Sequence, residues 1–549
     1  MRIQAFALVA LLACDEPASE SRDAEVAQDA RVSLDARVSL DARMTPDADV
    51  TPDAEVPSLD GLAVRTRSGL VRGQQRGDTR RWLGIPYAAP PTGARRFAPP
   101  APAEPWQERD AFDFGPSCPQ LAMTRNPGVP RNAQSEDCLS LNVFAPASAE
   151  RAPVMVFLHG GGTTTGGSAP YPGDGLSAAG DVIVVTVNYR LGVLGFLAHP
   201  ALDDALDVPS GNMGLRDQQL ALRWVHDNIA AFGGDPSEIT LFGESAGGIS
   251  ACEHMFMPES RALAKRFILQ SGACVGSATA PRQRANLLEH AALLVSELCA
   301  QQEPLACLRA LPPDAFLHWR EKTSPADDPV PLDWGAHVDG VLIPRPPMEM
   351  LRAGELPPTD VLLGSNQHEW GFMQLFGYPV ATNPVDFLFW VNLLFPADAS
   401  AISEHYLADS ASDANGTFVR MITDQWFRCS ARALARELVA QGSRVFLYQF
   451  SHAPAVHTHE LDYVFGQPFT EPLYPELARH EPALVRTIQA AWTRFARVGD
   501  PSDATLPWPR YDGSHLELDA TPSVERGLAQ ADCDFWDARY THLSTVPIE

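Results

Sequence analysis

Glu238-Ile239-Thr240-Leu241-Phe242-Gly243-Glu244-Ser245-Ala246-Gly247-Gly248 is the stretch that decides the fold. Its first five residues form a short β-prone run, preceded by Gly233-Gly234-Asp235-Pro236. A Gly-x-Ser-x-Gly pattern follows at once, and small residues then continue in helical character from Gly248 to Met255. Strand, tight turn and helix together form the setting in which a serine is displayed on a strained turn at the top of a sheet. Residues beside such a turn must be small, which accounts for Gly243 and Gly247. The helix that begins there adds amides and a dipole that favour developing negative charge. Ser245 is therefore the candidate nucleophile.

Working outward, Val154-Met155-Val156-Phe157-Leu158 reads as a buried strand and runs into His159-Gly160-Gly161-Gly162. Three glycines directly after a strand let backbone N–H groups approach a substrate oxygen without side-chain obstruction. A loop of this kind is the expected partner of a serine on a strand–helix turn.

The ordered motifs around these two segments resemble the type-B carboxylesterase family, the cholinesterase-like branch of the α/β-hydrolases. They include Leu83-Gly84-Ile85-Pro86-Tyr87-Ala88 with Arg96-Phe97, and Ser135-Glu136-Asp137-Cys138-Leu139-Ser140-Leu141-Asn142-Val143. Further marks are Asn188-Tyr189-Arg190-Leu191-Gly192, the run from Gly211-Asn212 to Asp217-Gln218, and Phe232-Gly233-Gly234-Asp235-Pro236. The resemblance spans about residues 62 to 540. It implies an α/β-hydrolase fold: a large, mostly parallel central sheet with helices on both faces, and a site at the strand C-terminal ends.

The same resemblance supplies the partners of Ser245. Gly364-Ser365-Asn366-Gln367-His368-Glu369-Trp370-Gly371 matches the acid-bearing strand end, making Glu369 the acid. Val456-His457-Thr458-His459-Glu460-Leu461 matches the histidine loop, making His457 the base. His459 is the rival base. Glu460 and Asp462 are rival acids, read more simply as solvated loop charges. Gly161, Gly162 and the amide of Ala246 are implied as the oxyanion hole. The resemblance also implies disulfides Cys118–Cys138, Cys299–Cys307 and Cys429–Cys533, and an ion pair between Arg96 and Glu136. Cys252 and Cys274 then remain; they are expected to pair, the alternative being two buried thiols. Leu332 and Trp334 stand where the family has its acyl-pocket wall, though either could be plain core.

The implied activity is serine carboxylic-ester hydrolysis through an acyl-enzyme. Cholinesterases place a tryptophan ten residues before the second cysteine of the first disulfide loop. Gly128 stands there in this chain, and the whole loop from Cys118 to Cys138 lacks an aromatic residue, so the expected substrates are neutral esters rather than choline esters. Two other readings remain on the sequence: a non-catalytic cell-surface binding or adhesion protein of the same fold, or a specialised hydrolase (lactonase, amidase, toxin-ester esterase) using the same triad. No metal or other cofactor is expected, and no oligomeric state follows.

Across 549 residues, 68 acidic side chains outnumber 42 basic ones, leaving a formal charge of −26. Nucleic acid is thereby excluded as the main partner, because phosphate backbones call for clustered Lys and Arg. Residues 1–14 read as a lipoprotein-type signal: Arg2, an almost wholly apolar run from Ile3 to Ala13, then Cys14 as the lipid acceptor, closing the lipobox-like Leu11-Leu12-Ala13-Cys14. Residues 15–58 follow as an acidic linker. Asp-Ala recurs at Asp23, Asp29, Asp35, Asp41, Asp47 and Asp53, and no aromatic residue occurs between Phe6 and Trp82. So little apolar area cannot offset the entropy of ordering, and an extended, self-repelling spacer is expected rather than a β-helix. The hydrolase domain would occupy residues 59–549. The whole would be exported and held at a bacterial membrane by its lipid, facing periplasm or cell surface, with the small-molecule ester as its partner.

Overall fold

A computed structural model describes residues 62–121, 132–276, 279–317, 319, 334–374, 380–468 and 481–539. The expectations for Cys14, the Asp-Ala repeat, Gly128 and Leu332 fall outside those residues. By its internal contacts the chain divides into Met1–Pro57 and Ser58–Glu549, and the described residues all lie in the second unit.

The centre of that unit is an eleven-stranded sheet. From one edge the order is Ser523–Arg526, Ser514–Leu518, Arg444–Phe450, Asp360–Asn366, Arg266–Gln270, Gly234–Glu244, Ala152–Leu158, Ile183–Val187, Ser140–Pro146, Thr79–Pro86 and Gln74–Arg76. The seven strands from Ser514–Leu518 to Ile183–Val187 are mutually parallel, and the strands outside them pair antiparallel. The sheet is thus mixed, with a parallel core. Its inner strands read as nearly continuous apolar runs because helices cover both faces. All residues of Ala152–Leu158, Ile183–Val187 and Arg266–Gln270 are buried.

Alternate side chains of these strands feed opposite cores. On one side Val154, Val156, Leu241 and Phe267 join Trp82, Trp370 and Trp536. On the other Met155, Phe157, Phe242 and Ile268 pack with Trp492 and Phe465. The helix Pro482–Val498 buries Leu484, Ile488, Ala491, Trp492 and Phe495 against that second face and ends at Gly499, whose left-handed φ of 70° closes it.

Eight cysteines close into four disulfides. The three implied by resemblance form, and Cys252 pairs with Cys274. This last bridge ties the helix Ala246–Phe256 to the segment that leaves the strand Arg266–Gln270. Arg96 meets Glu136 through two nitrogens, Nε at 2.7 Å and Nη2 at 2.5 Å. Its Nη1 donates to the carbonyls of Leu308, Arg309 and Leu311, just past the Cys299–Cys307 bridge.

Replacing Cys252 and Cys274 together by alanine frees a loop with a sequence separation of 22 in the unfolded chain. Loop-closure entropy sets the expected loss at about 3 kcal/mol. A guanidinium denaturation midpoint equal to that of the parent would refute it.

Candidate functional site

The strand Gly234–Glu244 ends at Glu244 and the helix Ala246–Phe256 starts at Ala246, leaving Ser245 alone to turn the chain. It does so at φ 56° and ψ −127°, a conformation that L-residues avoid and that costs on the order of 1–3 kcal/mol. The neighbours make it possible. A Cβ on Gly247 would lie 2.0 Å from the Leu158 carbonyl oxygen, and one on Gly243 2.3 Å from that of Gly247. The Ser245 N–H is spent on the Gln270 carbonyl at 2.9 Å, and its own carbonyl accepts from Ile249 N–H.

Parallel strands bring the other motifs to the same edge. After Ala152–Leu158, the His159–Gly162 loop passes so close that a Cβ on Gly160 would be 3.0 Å from the Ser245 Cβ. Among the described residues, no protein acceptor takes the N–H groups of Gly161, Gly162 or Ala246. His159 stacks on Tyr189 with ring centroids 4.3 Å apart, and its carbonyl accepts the Tyr189 hydroxyl at 2.5 Å. Burial pulls the His159 pKa down to about 4, leaving a neutral ring whose Nδ1 lies 2.8 Å from the Gly160 carbonyl.

Glu369 opens the short helix just beyond the strand Asp360–Asn366. It is fully buried, with Oε1 accepting from Asn366 N–H at 2.7 Å and from the Ser271 hydroxyl at 2.6 Å. Its Oε2 meets His457 Nδ1 at 2.5 Å. His457 follows the next strand, Arg444–Phe450, on a loop bridged to the acid's loop through His368 N–H and the Ala455 carbonyl at 2.9 Å. The far ring nitrogen, Nε2, faces Glu244 Oε1 at 3.3 Å. That edge of the imidazole is therefore presented to the turn, one residue from Ser245.

Two expectations need correction. Glu460 and Asp462 are not solvated loop charges, since both are buried. Glu460 accepts from Gln270 Nε2 at 3.1 Å and Asn366 Nδ2 at 2.6 Å, and burial lifts its pKa to about 7. His459, the rival base, packs its ring against Phe450 and Tyr463, while Glu369 contacts His457. No sequence pattern singles out Glu244 or Ser271. Glu244 is the variable position of the Gly-x-Ser-x-Gly pattern, which gives no sign of the burial that pushes its carboxyl well up. Trp334 is core: it is 4% exposed and packs on His290 and Trp319, while its carbonyl takes the Thr163 hydroxyl.

A serine on a strained turn, a histidine held by a buried carboxylate and a glycine loop whose amides have no acceptor among the described residues converge at the C-terminal ends of the parallel strands. Residues 60–536 match the family model described as the carboxylesterase family. The chain belongs to the carboxylesterase family. It is a serine carboxylic-ester hydrolase. It is 32% identical to the acetylcholinesterase of Bungarus fasciatus over 527 residues, covering 87% of this chain and 86% of that one. Carboxylesterase 1D of Rattus norvegicus is 33% identical, over 83% of this chain and 88% of its own. A solved PNB esterase superposes with a TM-score of 0.77 at 31% identity, covering 87% of this chain and 99% of that one.

Burial pulls the His457 pKa down, but Glu244 and then Glu369 outweigh it and raise it to about 9. A raised pKa keeps the imidazolium through neutral pH, and the neutral ring accumulates only as pH climbs. An NMR titration of the His457 ring should therefore place its midpoint above the ordinary 6.5. Glu244→Gln and Glu369→Gln should each move it down. A midpoint at or below 6.5 in the parent would contradict this electrostatic arrangement.

Proposed function

We propose that Ser245 is the nucleophile, His457 its general base and Glu369 the group that orients the base. The observation that carries this is the chain of contacts from Glu369 through His457 Nδ1 to an Nε2 edge facing the turn that bears Ser245. The Ser245 hydroxyl would attack the ester carbonyl as Nε2 takes its proton, since a free hydroxyl is a poor nucleophile near neutrality. Glu369 fixes the tautomer and stabilises the imidazolium. The amides of Gly161, Gly162 and Ala246 would receive the oxyanion, each such donor contributing about 3 kcal/mol. Collapse expels the alcohol with the proton returned from His457. Water then releases the acid by the same steps in reverse.

The substrates proposed are neutral carboxylic esters. Support comes from the Cys118–Cys138 loop, which offers no aromatic face for a quaternary ammonium, and from the formal charge of −26, which disfavours anionic esters at low ionic strength. Ser245→Ala should lower p-nitrophenyl butyrate turnover by about six orders of magnitude. For the parent, kcat/KM should climb with pH along the same titration as the His457 ring. Full activity in Ser245→Ala, or a flat profile between pH 5 and 8, would overturn the assignment.

We also infer an exported lipoprotein: a signal through Ala13, lipid on Cys14, and the Asp-Ala stretch as spacer to the hydrolase domain. Supporting it are the apolar leader, the lipobox-like Leu11-Leu12-Ala13-Cys14, and four disulfides that suit an oxidising compartment and make no use of Cys14. Expressed in a bacterium as the full chain, the enzyme should sediment with membranes and carry lipid. Cys14→Ser should abolish the lipid and release activity to the soluble fraction. Equal membrane association of both proteins would count against the anchor.

A further inference from the structure

The glycine loop continues as Thr163-Thr164-Thr165, and all three hydroxyls end on main-chain oxygens. In a planar trans peptide the C=O and the following N–H point in opposite directions. Whatever grips the Gly160 and Gly161 carbonyls therefore aims the N–H groups of Gly161 and Gly162. The Gly160 carbonyl is gripped by His159 Nδ1 at 2.8 Å. The Gly161 carbonyl accepts from the N–H groups of Thr164 at 3.1 Å and Thr165 at 2.9 Å, which any residue in this turn could supply. It also accepts from the hydroxyls of Thr165 at 3.1 Å and Thr164 at 3.4 Å, which these side chains add. Thr165 is buried.

The turn needs this grip because it runs through positive φ, which glycine adopts freely and a β-branched residue does not. Gly161 stands at φ 110°, Gly162 at 61°, and Thr163, β-branched, at 60°. Thr163 is braced from both sides. Its hydroxyl bonds the Trp334 carbonyl, and its own carbonyl accepts Gly192 N–H at 2.7 Å.

We propose that Thr165, seconded by Thr164, is a positioning residue of the oxyanion hole: its hydroxyl locks the Gly161–Gly162 peptide so that the Gly162 N–H faces the carbonyl oxygen of the ester that Ser245 attacks. This rests on the proposed oxyanion hole and goes beyond it, because it makes the hole's geometry depend on hydroxyl groups outside the glycine run. Transition-state charge gains from donors already in place, and it loses when a donor must be recruited by rotating a peptide.

The test uses Thr165→Val and Thr164→Val/Thr165→Val, which keep the branched shape and remove only the hydroxyls. We expect kcat on p-nitrophenyl butyrate to fall about tenfold in the double variant with KM within twofold. Inhibition by a trifluoromethyl ketone, whose adduct with Ser245 carries an oxyanion, should weaken by a similar factor. Thr165→Ser should restore kcat, and thermal midpoints should stay within a few degrees. Unchanged kcat and inhibition in the double variant would overturn the proposal, as would a kcat loss that Thr165→Ser fails to rescue. If Ser245→Ala retains turnover, the nucleophile assignment fails; if it is inactive while the valine variants match the parent, the positioning role alone fails.

Discussion

The absence of a side chain at residue 247 is the constraint on which the site depends. With the Leu158 carbonyl 2.0 Å from where a Cβ would stand, the helix Ala246–Phe256 can begin against the end of the neighbouring strand only if that position is glycine. The approach holds two things in register at once. It fixes the Ser245 turn at its strained φ, and it brings the His159–Gly162 loop beside that turn. The cost of about 1–3 kcal/mol at Ser245 is small against a core that buries most of eleven strands' inner residues, so the strain persists because the surroundings determine it.

A second layer of order is electrostatic. Glu244, Glu369 and Glu460 are all buried within the neighbourhood of His457. Burial alone would strip the imidazole of its proton, and the carboxylates reverse that. Glu244 is itself pushed well up by burial, and His457 acts against that shift. Glu369 differs from the other two. Three donors converge on it, from Asn366, Ser271 and His457. Three acids of one chemical type are thus separated by their hydrogen-bond partners.

Much of this was legible in the sequence, for a physical reason. Motifs whose polar residues must satisfy buried backbone leave few substitutes. Arg190 meets Asp217 through Nε at 2.8 Å and Nη2 at 2.7 Å, and Asn188 serves Ser168 N–H and the Pro116 carbonyl, so the Asn188-Tyr189-Arg190 run and Asp217 read as fixed marks. The Ser245 turn was legible because a glycine pattern, a strand and a helix coincide over eleven residues. What stayed hidden was burial produced by tertiary packing. Glu460 lies in a stretch with Asp462 that looks like an exposed loop, and only the approach of Gln270 and Asn366 from other strands makes it interior. Glu244 gave no signal at all, because its neighbours explain the motif without it.

The disulfides show how far such reading can go. Three were implied by resemblance, and Cys252–Cys274 came only as the remaining pair. Its placement nevertheless has consequences for the same site. Between Gln270 and Cys274 the chain supplies the carbonyl that takes Ser245 N–H, the side-chain amide that bonds Glu460, and the hydroxyl that bonds Glu369. The bridge anchors the far end of that segment to the helix Ser245 precedes. Ser245, Glu369 and Glu460 are thereby all hydrogen-bonded to one short length of chain, whose far end is covalently anchored.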